Sequence, residues 1–219
     1  GVPIVFFSVE MPAFFIFQRF LMNISRLKKN EILYGAHNES DRMEIEKKVR
    51  KLIKTPAFID DTPAPSVEKI SEKVRDFVKS QKVKCVFIDY LQLIRSDRMR
   101  FDNRKDELLY MAESLKSLSV QLDIPIVSTC QSRRINRSQG DRVRMGERLS
   151  IQEKGEDFLL PTADIYCSVF RPDHVGISIK EKIVDNVFPA ELIVYKQSRG
   201  EGGVINLKFN KDYWCFDEA

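Results

Sequence analysis

Long apolar runs are missing from this chain of 219 residues: the most extended, Val2 to Val9, stops at Glu10, well short of the roughly 18 residues that a membrane-spanning helix needs. No basic residue precedes Arg19, so the opening does not read as a secretory signal, and a cytoplasmic protein without a membrane partner is expected. Cysteine is sparse. Cys85, Cys130, Cys167 and Cys215 are widely spaced and form no CxxC pair, and His37 and His174 are the only histidines. That scarcity excludes a disulfide-stapled scaffold and a zinc cluster. Net charge is also small, at +4 from 36 Lys and Arg against 32 Asp and Glu, so any nucleic-acid footprint has to be local. What remains is 43% hydrophobic residues, enough for a sizeable core in one domain.

The apolar residues come in short blocks separated by helical periods. Ile4 to Val9 is apolar on both faces, the pattern of a buried parallel strand. Pro12 then opens a helix to about Asn23, and Ser40 to Lys54 is helical with Met43, Ile45, Val49, Leu52 and Ile53 on one side. Ala57 to Ile59 is a short strand closed by the turn cluster Asp60, Asp61, Thr62, Pro63, and Ser66 is an N-cap for the helix carrying Ile70, Val74 and Phe77. A strand at Val83 to Tyr90, a helix at about Arg104 to Leu122 and a strand at Pro125 to Cys130 continue the alternation. Such alternation predicts an α/β domain with a mostly parallel sheet flanked by helices. After Arg133 a polar, arginine-rich stretch carries no pattern until about Asp157. A strand at Ala163 to Phe170 follows, and then a hairpin of Ala190 to Lys196 and Val204 to Phe209 around a Gly-rich turn. Nothing marks a second domain, so residues 1–219 are read as one.

In an open α/β sheet the ligand sits at the C-terminal ends of the strands. Four polar groups stand there: Glu10, Asp89, Gln131, and the pair Lys196 and Arg199. A carboxylate after a buried strand suits the water shell of Mg²⁺, which takes one or two carboxylates plus phosphate oxygens. A second carboxylate can orient or deprotonate an attacking water, a glutamine can sense a γ-phosphate, and a cation can neutralise charge as the phosphate departs. Singly, each is as readily a helix cap or a solvated turn residue; together they point to nucleotide hydrolysis.

FFSVEMP (Phe6 to Pro12), FIDDTP (Phe58 to Pro63), VFIDYLQLI (Val86 to Ile94), CQSRR (Cys130 to Arg134), TADIYCSVFRPD (Thr162 to Asp173) and ELIVYKQSRGEGG (Glu191 to Gly203) resemble, in order and spacing, the C-terminal motor domain of DnaB-type replicative helicases. The resemblance spans nearly the whole chain. It implies a RecA-like P-loop NTPase core, ATP and Mg²⁺ as cofactors, and a homo-hexameric ring translocating on single-stranded DNA, with a primase and a helicase loader as further partners. By that resemblance Glu10 corresponds to the catalytic glutamate, Asp89 to the Walker B aspartate that holds Mg²⁺ through water, and Gln131 to the glutamine coupling the γ-phosphate to the DNA loops. Lys196 and Arg199 lie where the family keeps the finger residues that reach a neighbour's nucleotide.

Three departures accompany it. No GxxxxGK[ST] phosphate loop occurs in the sequence, and a chain that opens at Gly1 directly into a strand reads as a fragment whose loop stands upstream. The finger motif Lys-x-Arg-Asn-Gly is replaced by Lys196, Gln197, Ser198, Arg199, Gly200, which moves the arginine by one place. The family's Arg-Glu-Ser-Gly stretch has only Gln152, Glu153, Lys154, Gly155 opposite it.

The basic footprint is local. Arg133, Arg134, Arg137, Arg142, Arg144 and Arg148 face only Asp141 and Glu147 in one stretch, a surplus of +4. A second loop, after the Asp89 strand, carries Arg95, Arg98, Arg100, Arg104 and Lys105 among Asp97, Asp102 and Asp106. Charged runs of this kind are usually solvated surface. In the resemblance they line the channel of the ring, where Arg98, Arg100, Arg133, Arg134 and Arg137 would track a phosphate backbone. The alternative reading is a non-catalytic RecA-like ring or DNA-binding module without a phosphate loop.

Overall fold

The protein is described here from a computed structural model at residues 1–34, 39–132, 137–144, 147–150, 155, 157–175, 177 and 183–219. The chain divides into two compact units, one of residues 1–25 and 34–131, the other of residues 26–33 and 132–219.

The first unit is built on four parallel strands, β1 (Ile4–Ser8), β2 (Ala57–Asp60), β3 (Cys85–Asp89) and β4 (Ile126–Ser128), in the order β2-β1-β3-β4. Each strand is an apolar block of the sequence, as a parallel sheet covered on both faces requires. The register places Phe58, Val5 and Val86 side by side on one face and Ile59, Phe6 and Phe87 on the other. On the first face Phe58 meets Phe77 of α4 (Val67–Gln81) with ring centroids 5.4 Å apart. On the second, Phe6 packs edge-on to Phe20 of α1 (Ala13–Ser25) at 5.9 Å and alongside Phe87 at 6.3 Å. Val5, Val86 and Ile88 are essentially sealed from solvent.

α2 (Lys29–Tyr34) and α3 (Glu39–Ile53) follow α1 in the chain, and α5 (Arg104–Leu122) joins β3 to β4. Ser66 caps α4, its hydroxyl accepting from the Lys69 amide at 3.3 Å, and Asn103 caps α5 by accepting from the Asp106 amide at 3.0 Å. Both caps satisfy a first-turn amide that has no helical partner. Among the described residues β4 pairs only with β3, so its outer side is an edge, and Val127 on it is 47% exposed.

The second unit is an antiparallel sheet in the order β5-β6-β7-β8, formed by β5 (Ile165–Phe170), β6 (Val187–Gln197), β7 (Gly203–Asn210) and β8 (Cys215–Glu218). The expected hairpin is β6 and β7, with Val194 opposite Gly203. The turn needs its glycine: a Cβ at Gly202 would stand 2.6 Å from the Val194 carbonyl oxygen. The arginine-rich stretch expected to lack structure contains α6 (Arg137–Arg144) and a 3₁₀ turn at Asp157–Leu159. Thus Arg142 and Arg144 stand on a helix rather than in a loop. β8, likewise unforeseen, is fixed by pairing Phe216 with Phe209.

Candidate active site and basic loops

Because all four strands of the first sheet run the same way, their C-terminal ends share one rim. Ser8 pairs with Asp89, Phe7 with Asp60, and Ile88 with Ser128. The residues that follow extend from that rim. The Val9 amide donates to the Asp89 carbonyl at 2.9 Å, which ties the turn bearing Glu10 to the end of β3. Buried Ser8 tightens the same turn by donating its hydroxyl to the Met11 carbonyl at 2.6 Å. Glu10 itself is exposed, and its side chain makes no hydrogen bond or ion pair among the described residues.

Asp89 is oriented by a residue that sequence reasoning passed over. Thr129, just past β4, donates its hydroxyl to Asp89 Oδ1 at 2.6 Å. The other carboxylate oxygen has no protein partner among the described residues. A single aimed carboxylate with one free oxygen beside an exposed glutamate suits Mg²⁺, which retains most of its water and takes the rest of its shell from phosphates. Among the described residues no group of three or more His, Cys, Asp or Glu could form an all-protein cage. The chemistry of these two carboxylates fits a magnesium nucleotide bound through water.

Gln131 lies at the same rim. Its backbone is gripped by Gln92, from the 3₁₀ turn Leu91–Leu93: Gln92 Oε1 accepts from the Gln131 amide at 3.1 Å and Gln92 Nε2 donates to the Gln131 carbonyl at 2.9 Å. The two aspartates of the FIDDTP motif have structural partners instead. Asp61 accepts from the Ala13 amide at 2.8 Å and so caps α1. Asp60 pairs with Lys73 at 2.6 Å. Burial pushes the Asp60 carboxyl up, but the bonds from Lys73 and Thr62 outweigh it and hold the group below its ordinary value.

Lys196 and Arg199 belong to the second unit, at the β6–β7 hairpin, and differ sharply. The Lys196 ammonium donates to the carbonyls of Leu160 at 2.6 Å and Pro161 at 3.4 Å. Arg199 is exposed in the turn and makes no hydrogen bond or ion pair among the described residues. The turn that presents it is fixed from both sides. Ser198 donates to the Asp164 carbonyl through its amide at 2.9 Å and its hydroxyl at 3.0 Å, and the Gln197 side chain donates to the Glu201 carbonyl.

The basic residues separate into tethered and untethered. Arg148 pairs with Glu191 at 2.6 Å and lies 3.7 Å from the Phe170 ring centroid, and Arg142 pairs with Glu147. Arg104 is occupied at the start of α5 by the carbonyls of Gln92 and Ile94 and by Glu107. Arg98 and Arg100 are exposed, with no side-chain hydrogen bond or ion pair among the described residues. Arg133 and Arg134, and the stretch Gln152 to Lys154, lie outside the described residues; Arg137 opens α6, its side chain likewise outside the description.

Residues 1–218 match the family described as the DnaB-like helicase C-terminal domain. The chain is 30% identical over 216 residues to a probable replicative DNA helicase of Trieres chinensis, covering 98% of this chain and 46% of that protein. It is 29% identical over 211 residues to the replicative DNA helicase DnaC of Bacillus subtilis, covering 96% and 44%. The chain thus spans about half the length of the curated relatives it matches. Among solved structures an ATPase domain superposes with a TM-score of 0.82 at 23% identity, over 100% of this chain and 75% of that one. A structure of a DnaB-like replicative helicase and its interactions with primase superposes at 0.80 and 22%, over 100% and 51%. The parallel sheet with its helices accordingly has the RecA-like fold of those ATPase domains.

Proposed function

Since the chain belongs to the family of DnaB-like helicase C-terminal domains, we propose that it is the motor of an ATP-dependent replicative DNA helicase, acting as a ring of six on single-stranded DNA. Both compact units serve as one motor domain in this reading. The observation that carries it is the rim of the parallel sheet, where the Val9 amide bonds the Asp89 carbonyl at 2.9 Å and sets the Glu10 turn beside Asp89.

Magnesium bound with the nucleotide supplies charge neutralisation at the phosphates. The work of this chain is positional. Asp89, oriented by Thr129, would hold the metal through water. Glu10, exposed and without a partner among the described residues, orients the attacking water and accepts its proton. Gln131 senses the γ-phosphate from the end of β4. Arg199 is the finger offered to the neighbouring subunit's nucleotide, because its planar fork has no partner among the described residues and suits a phosphate, whereas Lys196 braces the hairpin through the Leu160 carbonyl. No phosphate loop of the GxxxxGK[ST] type stands among residues 1–219, so these residues contribute the acids, the sensor and the finger. Arg98, Arg100, Arg133, Arg134 and Arg137 contact the DNA backbone. No helix among the described residues is long and apolar enough to cross a membrane; the protein works in the cytoplasm of a bacterial or phage-infected cell, with a primase and a loader as partners.

The test mixes two variants of the intact protein, Arg199→Ala and Glu10→Gln, each inactive alone. Mixed interfaces pair an intact Glu10 with an intact Arg199, so ATP hydrolysis partly returns. A mixture that stays inactive although mixed rings form removes Arg199 as a finger in trans.

A further inference from the structure

We infer that Gln92 is a positioning residue that sets Gln131 in register with the basic loop at residues 98–103. The inference rests on the reading of Gln131 as the γ-phosphate sensor. It goes beyond that reading by naming what holds the sensor and to what it is joined.

Gln92 makes three bonds with its one amide group. Oε1 accepts from the Gln131 amide at 3.1 Å; Nε2 donates to the Gln131 carbonyl at 2.9 Å and to Cys130 Sγ at 2.8 Å. A primary amide facing a backbone amide in both directions allows one orientation and one distance, which no hydroxyl or carboxylate reproduces. Residues 129–131 leave the sheet at the end of β4, and here the ladder ends: Leu91 donates to the Thr129 carbonyl at 3.0 Å, and beyond that point the segment is held by the Gln92 side chain.

The other side of Gln92 is equally fixed. The Arg104 guanidinium donates to the Gln92 carbonyl at 2.7 Å and to the Ile94 carbonyl at 2.8 Å, so the first residue of α5 is bolted to the turn that bears Gln92. The same turn leads into a tethered segment. The Val67 amide donates to the Arg95 carbonyl at 2.9 Å, and Glu68 accepts from the Ser96 hydroxyl at 2.9 Å and the Asp97 amide at 3.1 Å. Asn103 closes the far end as the cap of α5, bonding the Asp106 amide at 3.0 Å. What is left between the two anchors is a short loop with Arg98 and Arg100 exposed on it. A phosphate backbone drawn to those arginines pulls on Arg104 and the Leu91–Leu93 turn, and past the Leu91 bond to Thr129 the Gln92 amide carries that turn's grip on to Gln131 itself.

In the intact protein, Gln92→Met keeps the length and removes all three bonds. The Gln131 amide then exchanges its hydrogen faster, while the Thr129 amide, bonded to the Ile88 carbonyl at 3.0 Å, keeps its protection. The ratio of turnover with single-stranded DNA to turnover without it falls about tenfold, the factor expected for one such hydrogen bond, while KM for ATP stays within about twofold. Gln131→Ala lowers the ratio at least as far. The double variant falls no further than Gln131→Ala alone, since one residue acts through the other. Gln92→Glu, which retains the acceptor for the Gln131 amide but sets a carboxylate against its carbonyl, gives an intermediate or equal loss and carries the test if the methionine variant does not fold. A parental ratio in both Gln92 variants, with Gln131→Ala impaired, overturns the inference; so do additive losses in the double variant. A parental ratio in Gln131→Ala overturns the sensor reading instead, and with it the functional half of the inference.

Discussion

The parallel sheet encloses Val5, Val86 and Ile88 almost fully between helices, whereas the antiparallel sheet leaves Ile165, Val169, Val204, Ile205 and Phe216 exposed and relies on cations laid over rings and acids. Arg171 and Lys211 both reach Asp173, at 2.8 and 3.0 Å, while Arg171 also covers Phe209 and Lys211 covers Phe188. Arg148 does the same with Glu191 and Phe170, and Arg26 closes on Asp217 at 2.6 Å. Both units bury apolar side chains, Val5, Val86 and Ile88 in one and Ala190, Ile193 and Phe209 in the other, but the second adds ion pairs laid over its rings, a contribution that salt and acid weaken. The difference also separates where reactivity is placed. The first unit's acids gather on a rim that a parallel sheet creates automatically, while the second offers a cation at the tip of a hairpin whose glycine turn fixes its position.

The largest test of this contrast is Glu10→Gln in the intact protein. ATP turnover should fall by about 10² to 10⁴ with no shift in melting temperature, because the side chain is exposed and has no partner among the described residues. Parental turnover would take Glu10 out of the chemistry. Next in size, Ile88→Ala should remove about 2–5 kcal/mol of stability, to the same extent at low and high salt in denaturant titrations; a strong salt dependence would contradict dry packing as the source.

Asp173→Asn should cost the second unit about 1–3 kcal/mol, read as faster amide exchange along β6 and β7, with the loss shrinking as salt rises. The pH dependence has a definite sign. Burial pushes the Asp173 carboxyl up, yet the bonds from Arg171 and Lys211 more than offset it and hold it below its ordinary value. Its stabilisation is therefore present above the unfolded-state carboxylate pKa and is lost as pH falls through the depressed folded one. Acidification should release exchange in β6 and β7 before β1 and β3. The smallest effect belongs to Arg98→Ala with Arg100→Ala: melting unchanged, single-stranded DNA affinity weakened for any sequence, and the log–log salt slope reduced by about 0.7 for each phosphate no longer neutralised. An unchanged slope would place the 98–103 loop away from DNA.

How much of this is written in the sequence depends on the range over which each signal acts. The strands of the parallel sheet are legible as apolar blocks, and their observed limits differ from the expected ones by a residue or two: Cys85–Asp89 falls inside Val83 to Tyr90, and Ile126–Ser128 inside Pro125 to Cys130. Ser66 is legible as a cap because its partner lies three residues away. α6 is not, since Arg-Ser-Gln-Gly-Asp-Arg-Val-Arg holds a glycine and a single apolar residue, Val143, whose burial gives no period. β8 is four residues with two acids and exists through its partner strand. At the rim, the acids are visible as polar ends of apolar blocks, but the roles of Thr129 and Gln92 come from partners some 40 residues away, a separation over which spacing carries no information. Of Lys196 and Arg199 the sequence shows only the planar fork of the arginine; the Leu160 and Pro161 carbonyls that occupy Lys196 lie some 35 residues away.

The outer side of β4 has a consequence for how this polypeptide behaves in a test tube. Among the described residues its ladder partner lies on one side only, and Val127 beside the open row of amides and carbonyls is 47% exposed. Such a border is a template for any extended peptide, including another copy of the same strand. Preparations of residues 1–219 should therefore show concentration-dependent stickiness and stain with amyloid dyes on prolonged incubation. Val127→Lys, which places a charge on that border strand, should keep the solution clear.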